Sequence, residues 1–214
     1  MKAFYRKQRL FSALVVGASR PQTYSMNTGI SSMDPVGRIQ CRTVARRPSG
    51  GTYGVMESPV GRIGLAFSDE GLCVLWPLRR EFPAEAMGMA LCRRWRQTQW
   101  EYRPEHVSDW EAFLQEGQDE APAPVALYGT PWQQQVWVTL CLIPLGTTWT
   151  YAEVAEKAGR PGAFRAAANA VAANPVAWLV PCHRVVRTDG TLGGYAWGLD
   201  LKQALLRREG CAVL

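Results

Sequence analysis

The chain has few of the residues that build metal sites. Only two histidines occur in 214 residues, and none of the six cysteines, Cys41, Cys73, Cys92, Cys141, Cys182 and Cys211, forms a CxxC pair. A zinc site therefore has little to draw on, and cysteines scattered without a framework fit a reducing compartment better than secretion. Long apolar runs are also missing, which excludes a membrane-spanning helix. The longest early run, Leu10 to Ala18, is broken by Ser12 and followed by Arg20-Pro21, a poor match to a secretion signal. We expect a cytoplasmic protein with no membrane partner.

Charge is present but uneven. Residues 1–50 carry nine Lys/Arg against one acid, residues 51–128 seven against twelve, and residues 129–214 eight against five, for a net +6. The last segment can sit against phosphates, although its excess alone is weak evidence for nucleic acid. Residues 1–50 are rich in Ser, Arg, Gly and Pro without a sustained period and read as a basic, disordered tail. Met26, Met33 and Met56 are alternative starts.

From Tyr53 the pattern changes. Gly61 to Phe67 and Leu72 to Trp76, joined by Ser68-Asp-Glu-Gly71, predict a β-hairpin. Helical spacing follows over 84–96 and 105–116, so 51–124 reads as a small α/β domain ending in a Pro-containing linker at 118–124. The remainder, 125–214, reads as mainly helical. Trp132, Val136, Trp137 and Leu140 share one face of a helix over 131–142, stopped by Pro144. Thr150-Tyr-Ala-Glu153 is a capping box opening a helix over 151–158. Pro161 suits the first turn of a second helix reaching about Ala173, and the pair predicts a helix-turn-helix. Trp178 to Val186 is apolar and reads as partly extended; Asp200 is expected to cap a last helix over 201–209, closed by Gly210. The expected fold class is thus α/β followed by mainly α.

The chemistry concentrates at Leu179-Val-Pro-Cys-His-Arg-Val-Val186. An isolated Cys-His is more often a buried inert cysteine beside a satisfied histidine. Here it stands among further ordered motifs: Gly129-Thr-Pro-Trp-Gln-Gln-Gln-Val-Trp137, Ile143-Pro144, Thr150-Tyr151, Arg165-Ala166, Ala173-Asn174-Pro175, Gly193-Gly-Tyr195 and Arg208-Glu209-Gly210. Together they resemble the methylated-DNA–protein-cysteine methyltransferases (O6-alkylguanine-DNA alkyltransferases), and most of all the repair domain of the bacterial adaptive-response type. The four-cysteine zinc domain of that type has no counterpart in residues 1–50.

The resemblance implies single-turnover transfer of an alkyl group from O6-alkylguanine, and from O4-alkylthymine, in double-stranded DNA to Cys182. No cofactor and no metal are implied, because a thiolate is itself a strong nucleophile for displacement at saturated carbon; the protein is expected to act as a monomer. A free thiol titrates near 8.5 and needs a base. The family's relay, carried over, runs from Glu209 to His183, through a water, to Cys182, with base and orienter in the roles of a triad. Asn174 matches the hinge asparagine, whose plain alternative is a helix C-cap. Tyr151 matches the tyrosine that crowds the flanking phosphate and donates a proton to the leaving base. Arg165 matches the arginine that fills the space of the flipped nucleotide, with Ala166 beside it on a small-faced helix suited to minor-groove approach. The substrate pocket is expected from Tyr151, Val171, Val185, Tyr195 and Trp197; the tryptophan could equally be a packing residue. Three other readings compete: a non-catalytic alkylated-base-binding relative, which would lack the cysteine; a helix-turn-helix regulator, which would need base-reading side chains that the helix after Pro161 does not carry; and a Cys-His hydrolase, which would need an oxyanion hole and real turnover.

Overall fold

The computed structural model describes residues 39–96, 98–116 and 121–211. Strands β1 (Cys41–Val44), β2 (Gly50–Ser58), β3 (Gly61–Ser68), β4 (Gly71–Pro77), β5 (Gln99–Tyr102) and β6 (Val125–Tyr128) form one mixed sheet in the order β1-β6-β4-β3-β2-β5. The hairpin read from the sequence is β3–β4, and β2–β3 is a second one. Both turns use the same device. Ser58 Oγ accepts from the Val60 amide and donates to the Gly61 carbonyl; Ser68 Oγ does the same with Glu70 and Gly71. Gly71, at φ 121°, has a second reason to be glycine, since a Cβ there would lie 2.1 Å from the Pro124 carbonyl oxygen.

Helix α1 (Ala84–Arg94) and helix α2 (Ser108–Glu116) cover opposite faces of the sheet. Gly64 and Gly54 show how. Their register partners, Val55 and Leu65, are adjacent along the strands, so the two glycines face opposite sides. A Cβ on Gly64 would strike Met87 of α1, and one on Gly54 would strike Val107, at the end of the 3-10 turn Pro104–Val107 leading into α2. Covered on both sides, Ile63, Leu65, Leu72, Val74 and Leu75 are fully buried.

The second half carries α3 (Pro131–Leu140), α4 (Tyr151–Lys157), α5 (Phe164–Ala172) and α6 (Leu199–Arg208), with the two-residue strands β7 (Trp149–Thr150) and β8 (Val185–Val186) paired in parallel. The expected capping box at Thr150 and Glu153 is present, and α3 opens on a second one, Thr130 with Gln133. Helices α3 and α5 are fastened by two indoles: Trp137 Nε1 donates to the Ala170 carbonyl at 2.8 Å, and Trp132 Nε1 to that of Ala166 at 3.2 Å.

Several expectations are corrected. The tail expected over 1–50 does not reach residue 50: Cys41–Val44 pairs in parallel with Val125–Tyr128, and Gly50 opens β2. Residues 1–38, with the comparison to a secretion signal, lie outside the described residues. The boundary at 124/125 likewise fails to separate sheet from helices, because β6 lies between β1 and β4. Pro161 does not begin a helix; Gly162, at φ 81°, breaks it, and α5 starts at Phe164. Asp200 sits inside the first turn of α6, whose N-cap is Gly198. The Pro-Cys-His-Arg segment is not a strand: Cys182–Arg184 is a 3-10 turn, and only Val185–Val186 is extended.

Candidate active site

The turn that holds Cys182 is suspended from the sheet. Leu75 of β4 donates to the Pro175 carbonyl and accepts from the Ala177 amide, each at 3.0 Å. Asn174, just after α5, braces the same loop. Its Nδ2 donates to the carbonyls of Val180 at 2.8 Å and Val176 at 3.3 Å, and its Oδ1 accepts from the Val176 amide at 3.0 Å. Between these ties Trp178 adopts φ 67°, the one non-glycine with positive φ among the described residues. A left-handed tryptophan costs on the order of 1–2 kcal/mol and persists only because its surroundings over-determine it.

Cys182 is buried at 4 % exposure. Burial pushes its thiol pKa up, against the pull of hydrogen bonds with the Asn174 and Tyr195 side chains and of the Lys202 charge. The thiol is therefore protonated at neutral pH, and a nucleophilic role would require a base. His183, fully buried, is next in the chain. Burial lowers its pKa despite the carboxylate beside it, so the ring is neutral at pH 7. Its Nε2 lies 2.9 Å from Glu209 Oε1. Burial alone would raise the Glu209 pKa, but hydrogen bonds from His183 and Arg184 hold it at about 2. An ionised carboxylate can only accept, so Nε2 carries the proton and Nδ1 is the basic nitrogen. Nδ1 is buried and has no hydrogen-bond partner among the described residues.

Two side chains to which sequence reasoning gave no role hold this arrangement. Arg184 grips Glu209 with both arms, Nε to Oε2 at 2.8 Å and Nη2 to Oε1 at 3.0 Å, while Nη1 donates to the Ile143 carbonyl at 2.7 Å. Lys202 is fully buried on α6; its Nζ donates to the Val185 and Leu192 carbonyls, and burial pushes its pKa down to about 8. It thus clamps β8 to the Gly193–Trp197 loop and keeps a cation near the thiol. A lysine in an amphipathic helix ordinarily reads as solvated, and no spacing signal marks this one.

The remaining expected residues divide. Pairing of β7 with β8 brings the start of α4 beside the Cys182 segment, and Tyr151 reaches the loop: a Cβ on Gly193 would lie 3.3 Å from its hydroxyl. Val171 and Val185 are buried, and Tyr195 is half-buried. Arg165 and Ala166 lie exposed on α5. Trp197 is buried with its ring 6.3 Å from that of Trp76 on β4, so the indole packs between loop and sheet. No cluster of His, Cys, Asp and Glu able to hold a metal occurs among the described residues.

A family model described as the 6-O-methylguanine DNA methyltransferase, DNA binding domain, matches residues 131–211. The chain is 40% identical over 161 residues to a methylated-DNA–protein-cysteine methyltransferase of Methanosarcina barkeri, covering 73% of this chain and 96% of the relative. It is 38% identical over 167 residues to the bifunctional transcriptional activator/DNA repair enzyme Ada of Escherichia coli, where it spans only 45% of the relative's length. Among solved structures, Mycobacterium tuberculosis OGT in complex with DNA is similar, with a TM-score of 0.59 and 34% identity over 74% of this chain and 92% of that one.

Proposed function

The chain belongs to the methylated-DNA–protein-cysteine methyltransferase family and is a DNA-repair enzyme of direct alkyl transfer, and from that premise we propose that Cys182 is its alkyl acceptor and His183 the base that activates it. The observation that carries the assignment is the Glu209–His183 hydrogen bond, which fixes the proton on Nε2 and leaves a basic Nδ1 buried beside the cysteine turn. A bridging water carries the thiol proton to Nδ1. The thiolate then attacks the alkyl carbon on O6 of guanine, the S–C bond forms as the C–O6 bond breaks, and the guanine leaves with a proton donated by Tyr151. A thioether is a poor leaving group, so each protein molecule reacts once.

The substrate is double-stranded DNA, and the protein acts on it as a cytoplasmic monomer. Cys73, Cys92, Cys182 and Cys211 form no disulfide among the described residues, which suits a reducing compartment. No helix among the described residues is long and apolar enough to cross a membrane. Helices α4 and α5 act as the helix-turn-helix. The face of α5 from Phe164 to Ala166 meets the minor groove, and Arg165 fills the place of the nucleotide turned out into the pocket of Tyr151, Val171, Val185 and Tyr195. Incubation with O6-methylguanine DNA should add one methyl group, found on Cys182 by peptide mass spectrometry, and Cys182→Ala should abolish transfer while retaining DNA binding. A methylated Cys182→Ala protein, or sustained turnover, would overturn the assignment.

A further inference from the structure

The surface at the start of α5 is unusual in its chemistry. Residues 159–166 are exposed apart from the half-buried Ala163. Within this run two arginines lie over aromatic rings. The Arg160 guanidinium carbon is 4.7 Å from the ring centroid of Trp132, and that of Arg165 is 5.5 Å from the ring of Phe164. The two aromatics are not alike. Trp132 is half-buried and fixed, its N–H tied to the Ala166 carbonyl. Phe164 is 47% exposed at the first position of α5, and the stripe that this helix buries consists of Ala167, Ala170 and Val171. Its ring is therefore not needed to hold α5 in place, while exposing it to water has a continuing cost.

Side by side, Phe164 and Arg165 offer a flat apolar face and a flat cation. Both shapes match the faces of stacked bases: aromatic side chains stack on bases of any sequence, apolar wedges part base steps, and a guanidinium stacks while remaining charged. Starting from the proposed docking of α5 on DNA, we propose that Phe164 is a second stacking residue, entering the base step next to the space filled by Arg165, so that this chain opens the duplex with a two-residue wedge. In the free protein the same ring holds the Arg165 side chain against it, ready for insertion. The wedge also gives the enzyme a preference that reads no base edge. Parting a step is easiest at flexible pyrimidine–purine steps and hardest within stiff A-tracts, so repair is fastest where a flexible step flanks the lesion.

The test compares wild type, Phe164→Ala, Phe164→Leu and Arg165→Ala in single-turnover alkyl transfer. Substrates are an O6-methylguanine duplex with a flexible flank, the same lesion with an A-tract flank, and a free O6-benzylguanine base. Phe164→Ala should slow transfer from duplex DNA about tenfold, the scale of one lost base–aromatic contact, and leave the free-base rate unchanged. Phe164→Leu, which keeps an apolar wedge, should fall between. In wild type, 2-aminopurine placed beside the lesion should brighten on binding as its stack opens, and the rise should shrink in Phe164→Ala. Unchanged duplex rates and fluorescence in Phe164→Ala, with Arg165→Ala still impaired, would overturn the proposal for Phe164 alone. Normal duplex repair by both variants would instead overturn the docking of α5 on which it rests. An equal loss on free base and duplex would assign Phe164 to the fold rather than to DNA.

Discussion

The two halves of the molecule are built on different principles. Through residue 128 the described interior is almost wholly apolar, with hydrocarbon and aromatic side chains packed on both faces of a sheet. Beyond it, the core holds the described buried polar and charged side chains, Thr139, Asn174, His183, Arg184 and Lys202. Apolar packing is tolerant, since losing a methylene costs about 1 kcal/mol and leaves the neighbours satisfied. A buried charge network is not, since removing one member strands the others without water. The sheet half supports, and the helical half concentrates the chemistry in groups that fail together.

The sharpest division should come from Glu209→Gln. The amide can still meet His183, but it no longer fixes the tautomer or balances Arg184. We expect alkyl transfer to fall by at least about a hundredfold, the usual worth of a positioned base, and stability to fall by about 3 kcal/mol for the stranded Arg184 charge. Single-turnover rates and denaturant melts on the same sample measure both. A variant with wild-type rate would remove Glu209 from the relay.

Acid should separate the halves next. The Glu209 pKa is held down at about 2, so its stabilisation is present above the ordinary carboxylate pKa and is lost as pH falls from about 4 toward 2. The His183 pKa is also lowered, so its contribution is present above about 6.5 and declines below it. Both act in the same direction. Melting temperature should fall steadily from pH 7 to pH 3, more steeply in wild type than in Glu209→Gln below pH 5. A protein more stable at pH 4 than at pH 7 would contradict the described network.

Trp197 tests the seam between the halves. With its ring against Trp76, Trp197→Gly should cost about 3–5 kcal/mol, as a large cavity does. The ratio of benzyl to methyl transfer rates then decides its second role. A raised ratio means that the indole also limits the pocket, and an unchanged ratio leaves it a packing residue alone. The smallest effect on chemistry should follow removal of residues 1–49. This takes away β1, its ladder with β6 and the bond from Gln134 Nε2 to the Val44 carbonyl, so stability drops. Transfer per folded molecule should stay within about twofold, since no residue of the thiol cluster is removed and a distant change perturbs it little. A tenfold loss would show that the sheet edge shapes the active site.

What could be read from the sequence follows the range of the interactions. The β3–β4 hairpin and the Thr150–Glu153 box are decided within a few residues and were legible. The pairing of β1 with β6 joins residues more than eighty positions apart, and neither segment carries an alternating pattern, so by sequence one reads as tail and the other as the start of a helical domain. At the candidate site, ordered motifs single out Cys182, His183, Glu209 and Asn174. Arg184 lies inside the Pro-Cys-His-Arg motif without a role that the motif reveals, and Lys202 lies in no motif, because each acts through backbone carbonyls or a distant carboxylate that no local spacing announces.

Leu75 has one more consequence. One of its edges pairs with Leu65 in the middle of the sheet, and its other edge hydrogen-bonds the loop that carries Asn174 and Cys182. Both backbone groups of Leu75 are thus committed to the hinge loop, while the residue pairs in register with the central strand. Amide exchange at Leu75 and Ala177 requires the loop to part from β4, so the protection of these two amides reports directly on how firmly the Cys182 loop is held to the sheet.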